Sequence, residues 1–319
     1  MQNLKGKLAL SLIFALLVFV ALTFYADAPR LFAAFAKFDW RFLPLALATT
    51  LANYLLRFAR WHYYLDVIGA KNVPRRDSLM IFLSGFSLTM TPGKLGEVLK
   101  SFLLKSRCGT PVSYSASIVF AERLTDVLGV VILAAVGLVF YPLGLSALGI
   151  VLVVTALFVL VAQQRALAER LLDLFARLPF IGRFANLARN LYESAYLMLR
   201  AKPLLIAIAL ATVAWFGECL TFFIVLLGIG LAPSVLLLLQ ATFIYAAASL
   251  FGAVSMLPGG LGATEGGITL LLQQIVGLAR EEAVAAALIV RLCTLWFAVL
   301  LGVIALLAFG MPQAKPEEA

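Results

Sequence analysis

"TPGKLGEVLK", Thr91–Lys100, is a charged, helix-breaking phrase in a greasy chain, and it returns downstream as "LPGGLGATEGG", Leu257–Gly267. Both copies contain Pro-Gly-x-Leu-Gly followed closely by Glu. The second inserts Ala263 and Thr264 before its Glu. In each copy an Arg follows 26 positions after the Glu, at Arg123 after Glu97 and at Arg291 after Glu265. Pro ends a helix, and Gly permits a turn and close backbone approach.

The flanks say where such a turn sits. "SLMIFLSGFSLTM", Ser78–Met90, covers about 20 Å as a helix, short of a hydrocarbon core of roughly 30 Å. It stops at Thr91-Pro92-Gly93 and resumes as "KLGEVLKSFLLK", Lys94–Lys105, which is too polar and too short to span. Residues 78–105 therefore read as a re-entrant hairpin of two half-helices. Residues 234–278 read the same way, with the break at Pro258-Gly259-Gly260. The expected hinges are Pro92, Gly93 and Gly96 in the first copy and Pro258, Gly259 and Gly262 in the second. Irregular backbone at this depth must face protein or water.

Composition sets the class. Hydrophobic residues make up 63% of the 319 and charged residues 13%, and mean hydropathy is +1.04. A soluble domain carries about 45–50% apolar and about 25% charged residues. The chain is a polytopic membrane protein. Its net charge of +9 fits Lys and Arg flanking the spans, not nucleic-acid binding. Cys108, Cys219 and Cys293 suggest neither a disulfide framework nor a metal site, and a single histidine, His62, excludes a multi-histidine metal site. Neither a cofactor nor a metal is expected.

Six full spans are expected, at about 8–26, 42–68, 112–140, 145–162, 203–229 and 283–309, beside the two hairpins. Lys5, Lys7 and the apolar run to Phe24, followed by Ala26-Asp27-Ala28, imitate a signal peptide. The run exceeds the usual core of about 7–15 residues, so it reads as an uncleaved first span. Residues 163–202 hold the main wet stretch, with apolar residues at helical spacing, and read as amphipathic helices at the membrane surface. That stretch and the basic loop at 71–76 are richest in Lys and Arg, which puts both, with the two termini, on the cytoplasmic side of an inner membrane. The uncharged turns at 141–144 and 230–233 fall outside. The second span and its counterpart at 203–229 then run in opposite senses. The chain divides into two inverted repeats, 1–143 and 144–319. Inverted repeats with broken helices meeting near the midplane are a transporter signature.

Charges inside the spans are costly, at about 2.5–3.5 kcal/mol each on insertion scales. Arg123 lies roughly 16 Å into its helix. Arg123 and Arg291 either bind a phosphate or pair with the hairpin carboxylates and lock the fold. Glu97 and Glu265 either anchor the hairpin tips or titrate. Glu122 and Asp126 share one helical face. Lys94 sits at the first tip, where an anionic headgroup would meet it. Glu218, isolated in mid-span, faces a cavity or a partner such as Arg57. Arg57, Arg60 and His62 lie near a helix end and are expected to snorkel, with Trp61, Tyr63 and Tyr64 in an interfacial belt. The free amides that open each second half-helix are expected to suit an anion.

With "AERLTDVLG", Ala121–Gly129, and "RFARW", Arg57–Trp61, the two phrases resemble the transmembrane, flippase-like domain family of lysylphosphatidylglycerol synthases over nearly the whole chain. The resemblance implies a lipid flippase-type transporter. Bifunctional members add a soluble aminoacyltransferase domain, and Ala319 leaves no room for one, so a stand-alone, non-enzymatic module is expected. Its substrate would be an anionic or phosphate-bearing membrane lipid, held by Lys94, Glu97, Arg123, Glu265, Arg291, Glu122, Asp126, Arg57 and Glu218. A homo-oligomer or a lipid-synthesis partner fits the same picture. The alternative is a membrane enzyme, or an accessory subunit, acting on a lipid phosphate or lipid-linked glycan.

Overall fold

The computed structural model describes residues 16–309 apart from 71–72, 92–96, 136, 138–148, scattered positions between 151 and 162, and 177–184. The expected turn at 141–144 and the tips Pro92, Gly93, Lys94 and Gly96 lie outside the described residues. What is described is helical, and the chain is an all-α polytopic membrane protein. Among the described residues four helices are long and apolar enough to cross a bilayer, and a fifth crossing is possible if one bent pair is a single span.

That pair is α1, Leu16–Tyr25, and α2, Ala28–Lys37, bent by 97°. The segment that follows the first span is thus a helix. Asp27 takes a left-handed conformation at φ 64°, and Pro29 restarts the helix at its first turn. A single turn at Trp40–Phe42 follows, capped by Asp39, which accepts from the Arg41 N–H at 3.1 Å. The Arg41 guanidinium holds the exposed Asp39 carboxyl below its ordinary range.

Helix α3, Leu43–Val67, buries the stripe Thr50, Asn53, Tyr54, Arg57, Arg60, Trp61 and Tyr64. They recur at helical spacing, with Asn53–Tyr54 and Arg60–Trp61 as adjacent pairs, so one helical face turns inward. It lies antiparallel to α9, Ala201–Gly228. Thr49 and Thr50 meet Thr221 at 2.8 and 3.2 Å, and at the far end Asp39 N–H donates to the Gly228 carbonyl at 2.8 Å. The close crossing needs small residues, and Gly217 sits against Asn53.

The first hairpin is α4, Arg75–Gly85, a 3₁₀ turn at Phe86–Leu88, and α5, Leu99–Cys108. Lys100 folds back beside Gly85 and Phe82, so the two half-helices are antiparallel. The second is α10, Val235–Val254, and α11, Ala263–Leu271, continued by a π-turn at Leu272–Val276. Thr264 lies against Gly252, and Gly267 against Ala248. The hairpins are unequal: the 20 residues of α10 reach about 30 Å, whereas the 11 of α4 reach about half that.

Helix α6, Val112–Ala135, follows the first hairpin. After the second come α12, Arg280–Arg291, a π-turn at Leu292–Trp296 and α13, Phe297–Phe309, which together make one 30-residue span. Each hairpin's first helix packs on the other half's long helix. Phe86 and Ser87 press against Gly302 of α13, and Phe243 of α10 presses against Gly137 just beyond α6. This reciprocity is the pattern that two inverted copies produce. Surface helices α7, Arg165–Ala176, and α8, Ala185–Met198, are tied by exposed pairs, Arg165–Glu193 and Arg189–Asp173.

A Cβ at Gly302 would collide with the Phe86 and Ser87 backbone, whereas one at Gly266 meets nothing. Gly302→Ala should therefore cost about 1–3 kcal/mol of stability. Gly266→Ala, inside a helix, should be neutral or stabilising by up to about 1 kcal/mol. Thermal unfolding in detergent checks both, and equal melting of the two variants would contradict the packing described.

Candidate binding cavity

At Met90, the last part of its first arm, the first hairpin meets the tip of the second. A Cβ at Gly259 would lie 3.7 Å from Met90 Cα, and Met90, Leu261 and Leu295 form one small apolar cluster. Beside that junction, among α3, the first hairpin, α6, α9, α10 and α12, lies a cavity of about 370 Å³. Five cationic side chains line it, Arg57, Arg60, Lys100, Arg123 and Arg291, with four carboxylates, Glu97, Glu122, Asp126 and Glu218.

At the second tip, glycine is required where φ turns positive, 60° at Gly259, 67° at Gly260 and 81° at Gly262. Arg291 reaches in from α12. Its Nε donates to Glu265 at 2.6 Å and its Nη2 to the Gly259 carbonyl at 2.6 Å. Glu265 in turn accepts from the Gly262 N–H at 2.6 Å. Of the amides at this helix start, the chain's own carboxylate occupies that of Gly262. Arg291 braces the tip, and Glu265 faces a second, smaller cavity of about 290 Å³ between α1 and α12 that Arg291 also lines.

The first half uses the same sequence spacing more loosely. Arg123 Nη2 stands 3.3 Å from Glu97 and 3.0 Å from Asp126, and its side chain is 29% exposed against 10% for Arg291. Asp126 is shared. Arg60 Nη2 stands 2.8 Å and Arg57 Nη1 3.7 Å from it. One carboxylate thus faces three guanidiniums.

Arg57 also donates to Glu218 at 2.7 Å and to Asn53 at 2.9 Å, and lies over the Trp215 ring. Glu218 further accepts from Asn53 and, at 2.7 Å, from Tyr245. The Tyr54 hydroxyl donates to the Thr294 carbonyl at 2.6 Å, satisfying a group in the π-turn that follows Arg291. π-turns of this kind recur at functional sites. Lys100 Nζ contacts Glu122 at 2.5 Å.

The cavity therefore joins Glu97, Arg123, Glu122, Asp126, Arg57, Glu218 and Arg291, with Glu265 behind Arg291. The Arg57–Glu218 pairing is as expected. Snorkelling is corrected: Arg57 is 9% and Arg60 1% exposed, and Trp61 and Tyr64 are fully buried. Helix α3 runs about two turns past Arg60 before it ends, so this face stays beneath the neighbouring helices. His62 instead contacts Ser78 at 3.1 Å. Lys100, Tyr54 and Tyr245 are cavity residues that sequence reading passed over, and Arg60 is one that it assigned to the interface. Arg60 lies three residues after Arg57 and Lys100 three after Glu97, one helical step that could have flagged both. The two tyrosines sit in apolar runs with no such signal.

A family profile described as "Lysylphosphatidylglycerol synthase TM region" matches residues 8–302, and the chain belongs to that family. Curated relatives are described as UPF0104 membrane proteins. One from Methanothermobacter thermautotrophicus is 25% identical over 91% of this chain and 90% of its own length. One from Pyrococcus horikoshii is 24% identical over 93% and 95%. No solved structure matches.

Removing Arg291 strands Glu265 and frees the Gly259 carbonyl, so Arg291→Ala should cost about 3–5 kcal/mol of stability. Arg123→Ala should cost clearly less, because Arg123 is more exposed and Asp126 keeps two other arginines. Thermal unfolding in detergent separates them, and a larger loss for Arg123→Ala would reverse the assignment of brace and binder.

Proposed function

We propose that this multi-pass membrane protein moves a lipid with an anionic or phosphate-bearing headgroup between leaflets, as a flippase-type transporter and not as an enzyme. The observation that carries this reading is Asp126 facing Arg57, Arg60 and Arg123 within the cavity. A site with more guanidinium than carboxylate around one point favours an arriving anion, and guanidinium forks match phosphate oxygens. The family's name refers to a phospholipid, which supports the same substrate class.

In this reading the headgroup enters the cavity while the acyl chains stay in lipid. Arg123 takes the phosphate and releases Glu97, which re-pairs with it when the headgroup leaves. No arginine is left alone in either state, which offsets the cost of burial. Arg291 holds the second tip rigid while the halves 1–143 and 144–319 rock about it.

Arg123→Ala should abolish leaflet-to-leaflet lipid movement in proteoliposomes while the protein stays folded. Arg123→Lys should retain part of it, since a point charge replaces a fork. Normal transport by Arg123→Ala would misplace the site.

The protein is placed in the inner membrane with residues 163–202 cytoplasmic, on charge asymmetry. Single-cysteine labelling in intact cells should find position 233 accessible from outside and position 189 not. The opposite pattern would invert the topology.

A further inference from the structure

Lys100 and Glu122 form a pair unlike the others in the cavity. Glu97, Asp126, Glu218 and Glu265 all face arginines, which stay protonated. Neutralising any of those carboxylates leaves a permanently charged guanidinium with one partner fewer. Glu122 instead faces a lysine at 2.5 Å, and both side chains are buried. The Lys100 ammonium also lies 4.5 Å from the Trp61 ring centre and 5.6 Å from that of Phe82. Those rings supply a second resting place for a cation when Glu122 is neutral.

The pair is also not needed to hold a hairpin on its long helix. In the register that aligns Glu97 with Glu265 and Arg123 with Arg291, Lys100 and Glu122 fall on Ile268 and Val290. The second hairpin docks without any such pair. Its path in the first half is nevertheless kept open. Gly85 of α4 leaves room for the lysine stem, since a Cβ there would stand 2.7 Å from Lys100 Cγ.

Other charged or titratable groups face this corner. Helix α3 presents Arg57, Arg60 and Tyr64. Helix α6 itself adds Arg123 and Asp126, and the first hairpin Glu97. Glu218 and Tyr245 lie across the cavity. Helix α4 contributes Phe82 and Gly85 without charge, and the charged residues Arg189 and Glu193 of α8 pair at the surface.

We propose that Lys100 and Glu122 couple transport to protons, one proton travelling with each singly negative headgroup; this rests on the lipid-translocation reading. A proton from the aqueous side open to the cavity bonds to a Glu122 oxygen. The Lys100 ammonium, released from the carboxylate, turns onto the headgroup. After the halves rock, the headgroup leaves, Glu122 gives its proton to water on the opposite side, and Lys100 re-pairs with it. The added proton balances the headgroup's charge, so the loaded and empty cavities carry the same net charge. No covalent bond other than this O–H forms or breaks.

The test uses the full chain in phosphatidylcholine vesicles containing labelled phosphatidylglycerol, with pH differing by one unit across the membrane. Tight coupling sets the leaflet ratio by the proton ratio, so the label should collect about tenfold in the leaflet facing the alkaline side. Glu122→Gln and Gly85→Ala should move lipid at reduced rates toward a ratio near one. Beside this, short-chain phosphatidylglycerol added to the protein in weakly buffered detergent should draw protons from solution, and Glu122→Gln should abolish that uptake. Wild-type lipid movement indifferent to the gradient, with no proton uptake on binding, would overturn the coupling and leave translocation standing. A tenfold ratio retained by Glu122→Gln would overturn it too. Absence of lipid movement by the wild type in every gradient would sink the translocation reading, and the coupling with it.

Discussion

A charge inside a hydrocarbon layer must find a partner, and in this protein that requirement organises the centre of the fold. Asp126 draws Arg57 and Arg60 from α3 and Arg123 from α6 to one point. Arg57 carries the connection on to Glu218 of α9, and Glu218 to Tyr245 of α10. Helices that share little sequence signal are thereby fixed in register. Each buried charge costs a few kcal/mol to insert alone, so dispersing the cluster would be prohibitive. The cavity exists because these groups repel close apolar packing while holding its walls together.

The two halves meet the same requirement differently. In the second, Arg291 is absorbed into the hairpin tip, bonded to Glu265 and to the Gly259 backbone. In the first, Arg123 is shared between Glu97 and Asp126 and keeps more of its surface open. One repeat seals its arginine into the tip, and the other leaves its arginine more open to the cavity. Two strictly equal copies would offer either two braces or two loose ends.

The sequence made the broken helices and the Glu–Arg spacing legible, because Pro and Gly act locally and a 26-residue interval survives as a count. It also offered Arg57 as one partner for Glu218, beside a cavity, because a lone charge in mid-span needs one or the other. It misjudged Arg60, Trp61 and Tyr64, because whether a helix end reaches the interface depends on which neighbours cover it. The same limit hid Tyr54 and Tyr245, whose hydroxyls bond to groups about 240 and 27 residues away in the chain. Free amides at the second tip were expected from helix geometry alone, and only the rotamer of Glu265 shows one of them filled. The unequal hairpins follow from α10 being long enough to cross, a length that the Pro-Gly break obscured.

In the translocation proposed above, lipid headgroups pass through the charged cavity and not around the protein's outer surface. Ser249 of α10 lines that cavity and belongs to none of its ion pairs. A Ser249→Cys protein, with Cys108, Cys219 and Cys293 replaced, can be modified with a bulky charged thiol reagent and assayed for leaflet-to-leaflet lipid movement in proteoliposomes. The account predicts that modification blocks movement, while the same reagent on a cysteine at the lipid-facing Leu205 leaves it intact. Lipid movement undiminished with Ser249→Cys fully modified would contradict it.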